Sequence, residues 1–436
     1  MSAVGWLVVA TSFGLLGAIE LVAPDLVTIP WLLFGRIRPV HTNLVMFAFI
    51  GTTYLGTVFY VIPRLVRAPL FSERLANLTL WAWNLALVAA VISLMAGYTQ
   101  AREYAELVWP LDIAILAVFA LTLINGLETI RRRTENLLYV TVWYLMAGLA
   151  ITWINYAIGN AVWNPSTGSV TGILDAILAW FYGHNVIGMF LTPFAVGMAY
   201  YILPRVSGRP LYSHTLSLVG FWSLVALYTH IGSHHLIQAP IPTWLKVVSI
   251  VDSIGMIIPV MVALTNLWLT MKDRLGTLHT NVGGKFVFAG TVWYFLVGIQ
   301  GPLQSLPTVQ RVTHFNNWVV AHAHIAVLGF SAMIAMGTIY FLLPEITEKK
   351  LYSERLADVH YWLMLFGVTS FFVVLTSAGL VQGNAWLNGE TVYRMLPQLN
   401  VYLILRGLTG ITIVLGAVIG FFNVFMSLMS RGEATP

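Results

Sequence analysis

The segment YTHIGSHHL, Tyr228 to Leu236, places two adjacent histidines near the end of a long apolar stretch. A second segment, VVAHAHIAVLG, carries His322 and His324 two positions apart. Adjacent residues on an α-helix are separated by about 100°. His234 and His235 can therefore share a metal only if it sits between their faces and a third ligand comes from elsewhere. His184, in WFYGHNVIG, is the natural third. Three neutral imidazoles suit copper or zinc and leave a position open for substrate. His322 and His324, about 200° apart, address different centres. His41, in FGRIRPVHTN, pairs with one of them to give an iron porphyrin two axial ligands, and the other becomes the single proximal ligand of a second porphyrin.

The elements that must position these side chains are membrane helices. Of 436 residues 58% are hydrophobic and 9% charged, too little polar surface for a soluble domain of this size. The pattern predicts an all-α polytopic membrane protein of about twelve spans, at 4–26, 41–62, 77–97, 109–130, 138–160, 173–203, 215–238, 245–270, 285–303, 315–343, 358–382 and 400–429. The first segment lacks a basic n-region and a small-residue cleavage site, and reads as a retained helix. Basic residues follow the even-numbered spans: Arg64, Arg67 and Arg74, then Arg131 to Arg133, Arg205 and Arg209, Lys272 and Arg274, and Lys349, Lys350 and Arg355. The positive-inside rule puts these loops and both termini in the cytoplasm, and the six histidines in the outer half of the bilayer. The absence of cysteine excludes disulfides, thiolate-ligated clusters and covalent attachment of c-type haem.

Three stretches resemble one another: IPRLVRAPLFSERL, LPRVSGRPLYSHTL and LPEITEKKLYSERL. Their prolines, Pro63, Pro204 and Pro344, are 141 and 140 residues apart. Counting back, His41 precedes Pro63 by 22 residues, and His184 and His324 precede their prolines by 20. The expectation is one membrane domain, 1–436, of three four-helix arcs around a pseudo-threefold axis, with repeats of roughly 1–135, 136–275 and 276–436.

These residues resemble the catalytic subunit of the haem–copper oxidase superfamily, first its C family, the cbb₃-type cytochrome c oxidases, and second the nitric oxide reductases. The resemblance rests on FGRIRPVHTN, REYAELVWPLD, WFYGHNVIGMFLTPFAVGMAYYILPR, LVALYTHIGSHHL, GPLQSLPTVQRVTHFNNWVVAHAHIAVLG and YLILRGLTG. It implies His41 and His324 as axial ligands of a low-spin haem b, and His322 as proximal ligand of a high-spin haem b. It implies His184, His234 and His235 as copper ligands, with Arg38, Arg406 and His314 near the haem propionates. Glu103 and Glu106, at i,i+3 spacing in an outer loop, become a candidate calcium site. Tyr228, six residues before the histidine pair, matches a tyrosine that the oxidases have and the reductases lack, crosslinked there to the copper ligand of span six. It would supply an electron and a proton to dioxygen. Serine, tyrosine and asparagine side chains at Ser213, Ser217, Tyr200, Tyr201 and Asn266 would lead protons toward it.

One position departs from the pattern. Where the family carries a glutamate before GP on span nine, this chain reads VGIQGPLQSL, with Gln300. An amide cannot shuttle protons by ionising, although it can orient a partner by hydrogen bonding. Asp252, on span eight, is an acid where an uncharged residue is expected. The resemblance implies reduction of dioxygen to water in a prokaryotic inner membrane, with proton pumping and a haem layer near the outer face. Electrons would come from membrane-anchored c-type cytochrome subunits, and no nucleic-acid partner is expected. Two rival readings are a nitric oxide reductase, favoured by Gln300, and a non-catalytic haem-binding electron conduit.

Overall fold

The computed structural model describes residues 1–100, 102–160 and 170–430, and every regular element among them is helical. Eleven helices are long and apolar enough to cross a bilayer. They are α1 (Ser2–Val22), α2 (Phe34–Val66), α3 (Glu73–Ala96), α4 (Trp109–Arg131), α5 (Val140–Asn160), α6 (Ile173–Ser207), α8 (Thr243–Met271), α9 (Val282–Gln304), α10 (Asn317–Thr347), α11 (Glu354–Leu387) and α12 (Val392–Met429). A further helix, α7 (His214–Tyr228), is apolar but shorter. Large apolar side chains such as Trp81, Leu85, Trp222, Trp362 and Phe366 are exposed on these helices. That suits elements whose solvent is hydrocarbon.

By packing, the chain forms two compact units. A terminal unit comprises Met1–Val45 and Asp273–Pro436, and a central unit Met46–Lys272. In the terminal unit α1 and α11 pack on α12, and α9 on α10. In the central unit α3 pairs with α4, α5 with α6, and α7 with α8.

The three similar turn sequences fold alike. Ser72, Ser213 and Ser353 each cap the following helix, their Oγ accepting from the backbone N–H of Leu75, Leu216 and Leu356. An asparagine from the next helix then grips the capping serine from both sides. Asn125, Asn266 and Asn423 each accept from its N–H through Oδ1 and donate to its carbonyl through Nδ2. One turn further along, Thr129, Thr270 and Ser427 accept from the N–H of the preceding aromatic residue, Phe71, Tyr212 or Tyr352. Backbone groups that the turn would leave unpaired in an apolar surround are thereby satisfied.

A second shared feature bears on the site. Each of α2, α6 and α10 contains a π-helical segment, Leu44–Gly51, Val186–Leu191 and Ile325–Ala332 respectively. Each begins within three residues of His41, His184 or His324. The wider i→i+5 turn shifts the helical register and is concentrated at functional sites.

The largest departure from expectation is at span seven. A helix across 215–238 is predicted, but α7 stops at Tyr228 and the chain continues as a 3₁₀ turn, Ile231–Leu236. Asn185 on α6 explains part of this break, because its Nδ2 donates to the Thr229 carbonyl at 2.7 Å, occupying an acceptor that a continuing helix would use. His234 and His235 therefore stand on a tighter turn, about 120° apart rather than 100°. The helical register that set Tyr228 on the face of His235 does not apply.

Candidate metal and haem sites

In the central unit, ligand nitrogens of His184, His234 and His235 all lie within 4.8 Å of one another. Among the described residues they are the only histidine, aspartate or glutamate trio so placed. The rings face a common point, with centroid separations of 4.5 Å for His184 and His234, 4.6 Å for His234 and His235, and 5.4 Å for His184 and His235. His234 is buried, and its Nδ1 lies 2.7 Å from Ser253 Oγ on α8. Ser253 spends its single hydroxyl proton on the Ser249 carbonyl. The serine oxygen must then accept from His234 Nδ1–H, which makes Nε2 the unprotonated nitrogen, the one that can bind a metal. Trp180 stacks on His235 at 3.9 Å and an interplanar angle of 13°.

Tyr228 closes the other side of this trio, its ring stacked on His184 at 4.4 Å. The ring lies directly on the α6 backbone at Gly188, where a Cβ would come within 1.8 Å of Tyr228 Cε1. Only glycine admits the tyrosine there.

In the terminal unit, His41 and His324 are paired with ring centroids 6.2 Å apart and planes inclined by 20°. Each is tied by Nδ1 to a backbone carbonyl at 2.8 Å, His41 to Ala10 and His324 to Val320. A carbonyl can only accept, so both Nδ1 atoms carry protons and both Nε2 lone pairs are available. Gly14 leaves room for His41, since a Cβ there would sit 2.6 Å from its Cε1. Phe371 packs on His324 at 4.4 Å, and the Arg406 guanidinium lies over the Phe371 ring at 5.7 Å. Arg406 Nε is buried without a hydrogen-bond partner, and Arg38 is close enough to repel it. The partly buried Arg406 and the exposed Arg38 beside it form a cationic pair that attracts an anion. On the same helix as His324, His322 sends its Nδ1 to Gln300 Oε1 at 2.9 Å, with the Trp318 ring nearly parallel to its own.

The family described as cytochrome c and quinol oxidase polypeptide I matches residues 1–412. The chain belongs to this family. It is 32% identical over 445 residues to a cytochrome c oxidase subunit 1 homolog of Agrobacterium tumefaciens, covering 99% of this chain and 83% of the relative. It is 30% identical over 442 residues to the cbb3-type cytochrome c oxidase subunit CcoN1 of Stutzerimonas stutzeri, covering 98% and 93%. A solved heme-copper terminal oxidase dimer shares the fold, with a TM-score of 0.82, 18% identity, and coverage of 99% of this chain and 83% of that one. This oxidase subunit is thus an oxidoreductase of the haem–copper class, and its family implies haem, copper and respiratory electron transport.

The residues present fit those groups. A porphyrin iron between two imidazoles needs two metal–nitrogen bonds of about 2 Å plus about 1 Å per ring to its centre, roughly 6 Å in all. The His41–His324 separation of 6.2 Å answers that demand. The cationic pair Arg38 and Arg406 suits a porphyrin's carboxylates, and the trihistidine donor set suits copper.

Other expected residues of the oxidase subunit are placed differently. Glu103 and Glu106 lie on a turn, not a helix, so i,i+3 register does not align them; Glu106 is buried and Glu103 half-buried. His314 stacks on Phe315 at 3.8 Å, and burial pushes its pKa below the ordinary histidine value. Asp252 pairs with His230, Oδ2 to Nε2 at 2.5 Å, at a partly exposed position. In the route assigned to protons, Ser213 and Asn266 are consumed by the turn clasp, and Ser217 Oγ donates to the His214 carbonyl. Tyr201 lies beneath the Arg205 guanidinium. Of that set, Tyr200 keeps a buried hydroxyl, which faces the Asn266 side chain. Ser253, Trp180 and Gly188 escaped sequence reasoning, because none has a side chain that binds metal. Only the short distance from Gly188 to His184 in GHNVIG pointed to one of them.

Proposed function

We propose that this subunit reduces dioxygen to water at a high-spin haem b held by His322 and a copper held by His184, His234 and His235. His41 and His324 would hold a low-spin haem b that receives electrons from membrane-anchored c-type cytochromes, with protons taken from the cytoplasm. The observation that carries this reading is the state of the imidazoles. His41, His234, His322 and His324 all have Nδ1 occupied by a neutral acceptor, so each presents Nε2 as a neutral donor.

Bound iron and copper supply the electron transfer to dioxygen, and the chain supplies geometry and protons. Ser253 fixes the tautomer of His234 and Gln300 that of His322. Gln300 thus acts as a positioning residue, the role an amide can fill without ionising. Tyr228, stacked on His184, would give a proton and an electron from its phenol.

Reduced-minus-oxidised optical spectra of the purified complex, with and without carbon monoxide, test the reading when run beside metal analysis and dioxygen uptake. We expect one carbon monoxide-reactive haem, one unreactive haem and stoichiometric copper. Absence of copper, or of the second haem, overturns it. So does nitrous oxide production from nitric oxide with negligible dioxygen uptake, which would establish the reductase instead.

A further inference from the structure

A second group of chemically active side chains lies in the central unit, outside the trihistidine site. Asp112, on the first turn of α4, is fully buried. Its Oδ1 accepts from the Tyr156 hydroxyl at 2.9 Å and its Oδ2 from Gln100 Nε2 at 2.7 Å. Both oxygens are placed as acceptors of these two bonds, as the carboxylate form requires. No arginine or lysine forms a close ion pair with it; Arg102 nearby is engaged with Asp175 at 3.0 Å and with the Gly159 carbonyl at 2.6 Å. A buried carboxylate held only by a phenol and an amide is expensive to maintain, and such groups within membrane segments mark function by default.

The phenol leads from this acid toward α6, the helix that carries His184. Tyr156 packs edge-to-face on Tyr182 with centroids 5.5 Å apart. Tyr182 is two residues before His184 on α6. Both rings are fully buried, and the Tyr182 hydroxyl faces the Asn160 side chain, an amide that is no base. The two tyrosines therefore differ in one respect that matters. Oxidising a phenol makes its proton strongly acidic, and only Tyr156 has a base in place to take it.

We propose that Tyr182 and Tyr156 form an electron relay to the trihistidine centre, and that Asp112 is the proton acceptor of Tyr156. In one turn of the relay an electron passes from Tyr156 through Tyr182 to the oxidised metal centre, which is reduced by one electron. The Tyr156 O–H bond breaks and the proton crosses to Asp112 Oδ1. The products are a neutral Tyr156 phenoxyl radical and a neutral Asp112 carboxylic acid. An electron from the respiratory donor later reverses both changes. The relay gives the centre a reserve electron when dioxygen arrives before the donor does. It rests on the proposed function, since the oxidant is the metal centre reacting with dioxygen or peroxide.

The test is freeze-quench electron paramagnetic resonance of the oxidised, metal-loaded complex mixed with hydrogen peroxide, with haem and copper measured on the same samples. The expected result is a tyrosyl signal that falls at least tenfold in Tyr156→Phe, beyond any signal from Tyr228. Asp112→Asn keeps the shape and an acceptor for the phenol but not the base, and is expected to lower that signal at least fivefold. It also keeps the proposal falsifiable if Tyr156→Phe does not assemble. A signal unchanged in a loaded Asp112→Asn or Tyr156→Phe complex overturns the relay and leaves the proposed function standing. Preparations of the unaltered protein without copper or haem overturn the function and the relay together.

Discussion

The histidines of the central unit and those of the terminal unit solve one problem in different ways. His41 and His324 stand on continuous helices, each pinned by a backbone carbonyl: Ala10 from a neighbouring helix, Val320 from one turn earlier. His234 and His235 stand where a helix has been stopped, and are held by side chains, Ser253 beneath one and Trp180 against the other. A backbone acceptor cannot be removed by mutation, whereas a serine or tryptophan can. The trihistidine site should therefore be the more fragile of the two, and its supporting residues the more informative to change.

Removing a ligand separates the two most widely. His234→Ala is expected to abolish stoichiometric copper binding while leaving the optical spectrum of the His41–His324 centre intact. Loss of both would show that the sites are not held independently. Gly14→Ala makes the opposite challenge, because its Cβ would stand 2.6 Å from His41. Overpacking of this kind costs about 1–3 kcal/mol, and the low-spin haem should show a shifted or partly lost spectrum with copper retained. Ser253→Ala leaves His234 Nδ1 without its acceptor. Copper affinity should fall about 10- to 100-fold, read by titration with a competing chelator, while haem content stays constant. The smallest effect belongs to the scaffold. Ser353→Ala removes one helix cap in the terminal unit and should cost about 1 kcal/mol, seen as earlier thermal loss of the haem spectrum with little change in turnover.

Much of this architecture was legible because lipid imposes simple demands. Hydrocarbon forces each crossing to be an apolar helix about 20 residues long. Among the described residues eleven such helices match predicted spans, and at the remaining span the α-helix ends at Tyr228, short of the predicted 238. Periodicity gives no warning of that break, because Tyr228 to Leu236 is apolar enough to continue. Part of the cause is Asn185, 44 residues before Thr229 in the chain. The residues expected to lead protons show the same limit. Ser213 and Asn266 look like membrane-embedded polar residues in search of a function, yet they complete a turn clasp that recurs three times.

The sequence by itself determined the chemistry available: six imidazoles at repeating distances from three prolines, no thiolates, and apolar spans to carry them. That follows because ligand type and helix length are properties of local composition. The tertiary structure decided which nitrogen each placed imidazole presents, and which buried phenol has a base beside it. Those outcomes depend on hydrogen-bond partners from other helices, such as Ser253 for His234 and Asp112 for Tyr156, which no linear pattern brings together.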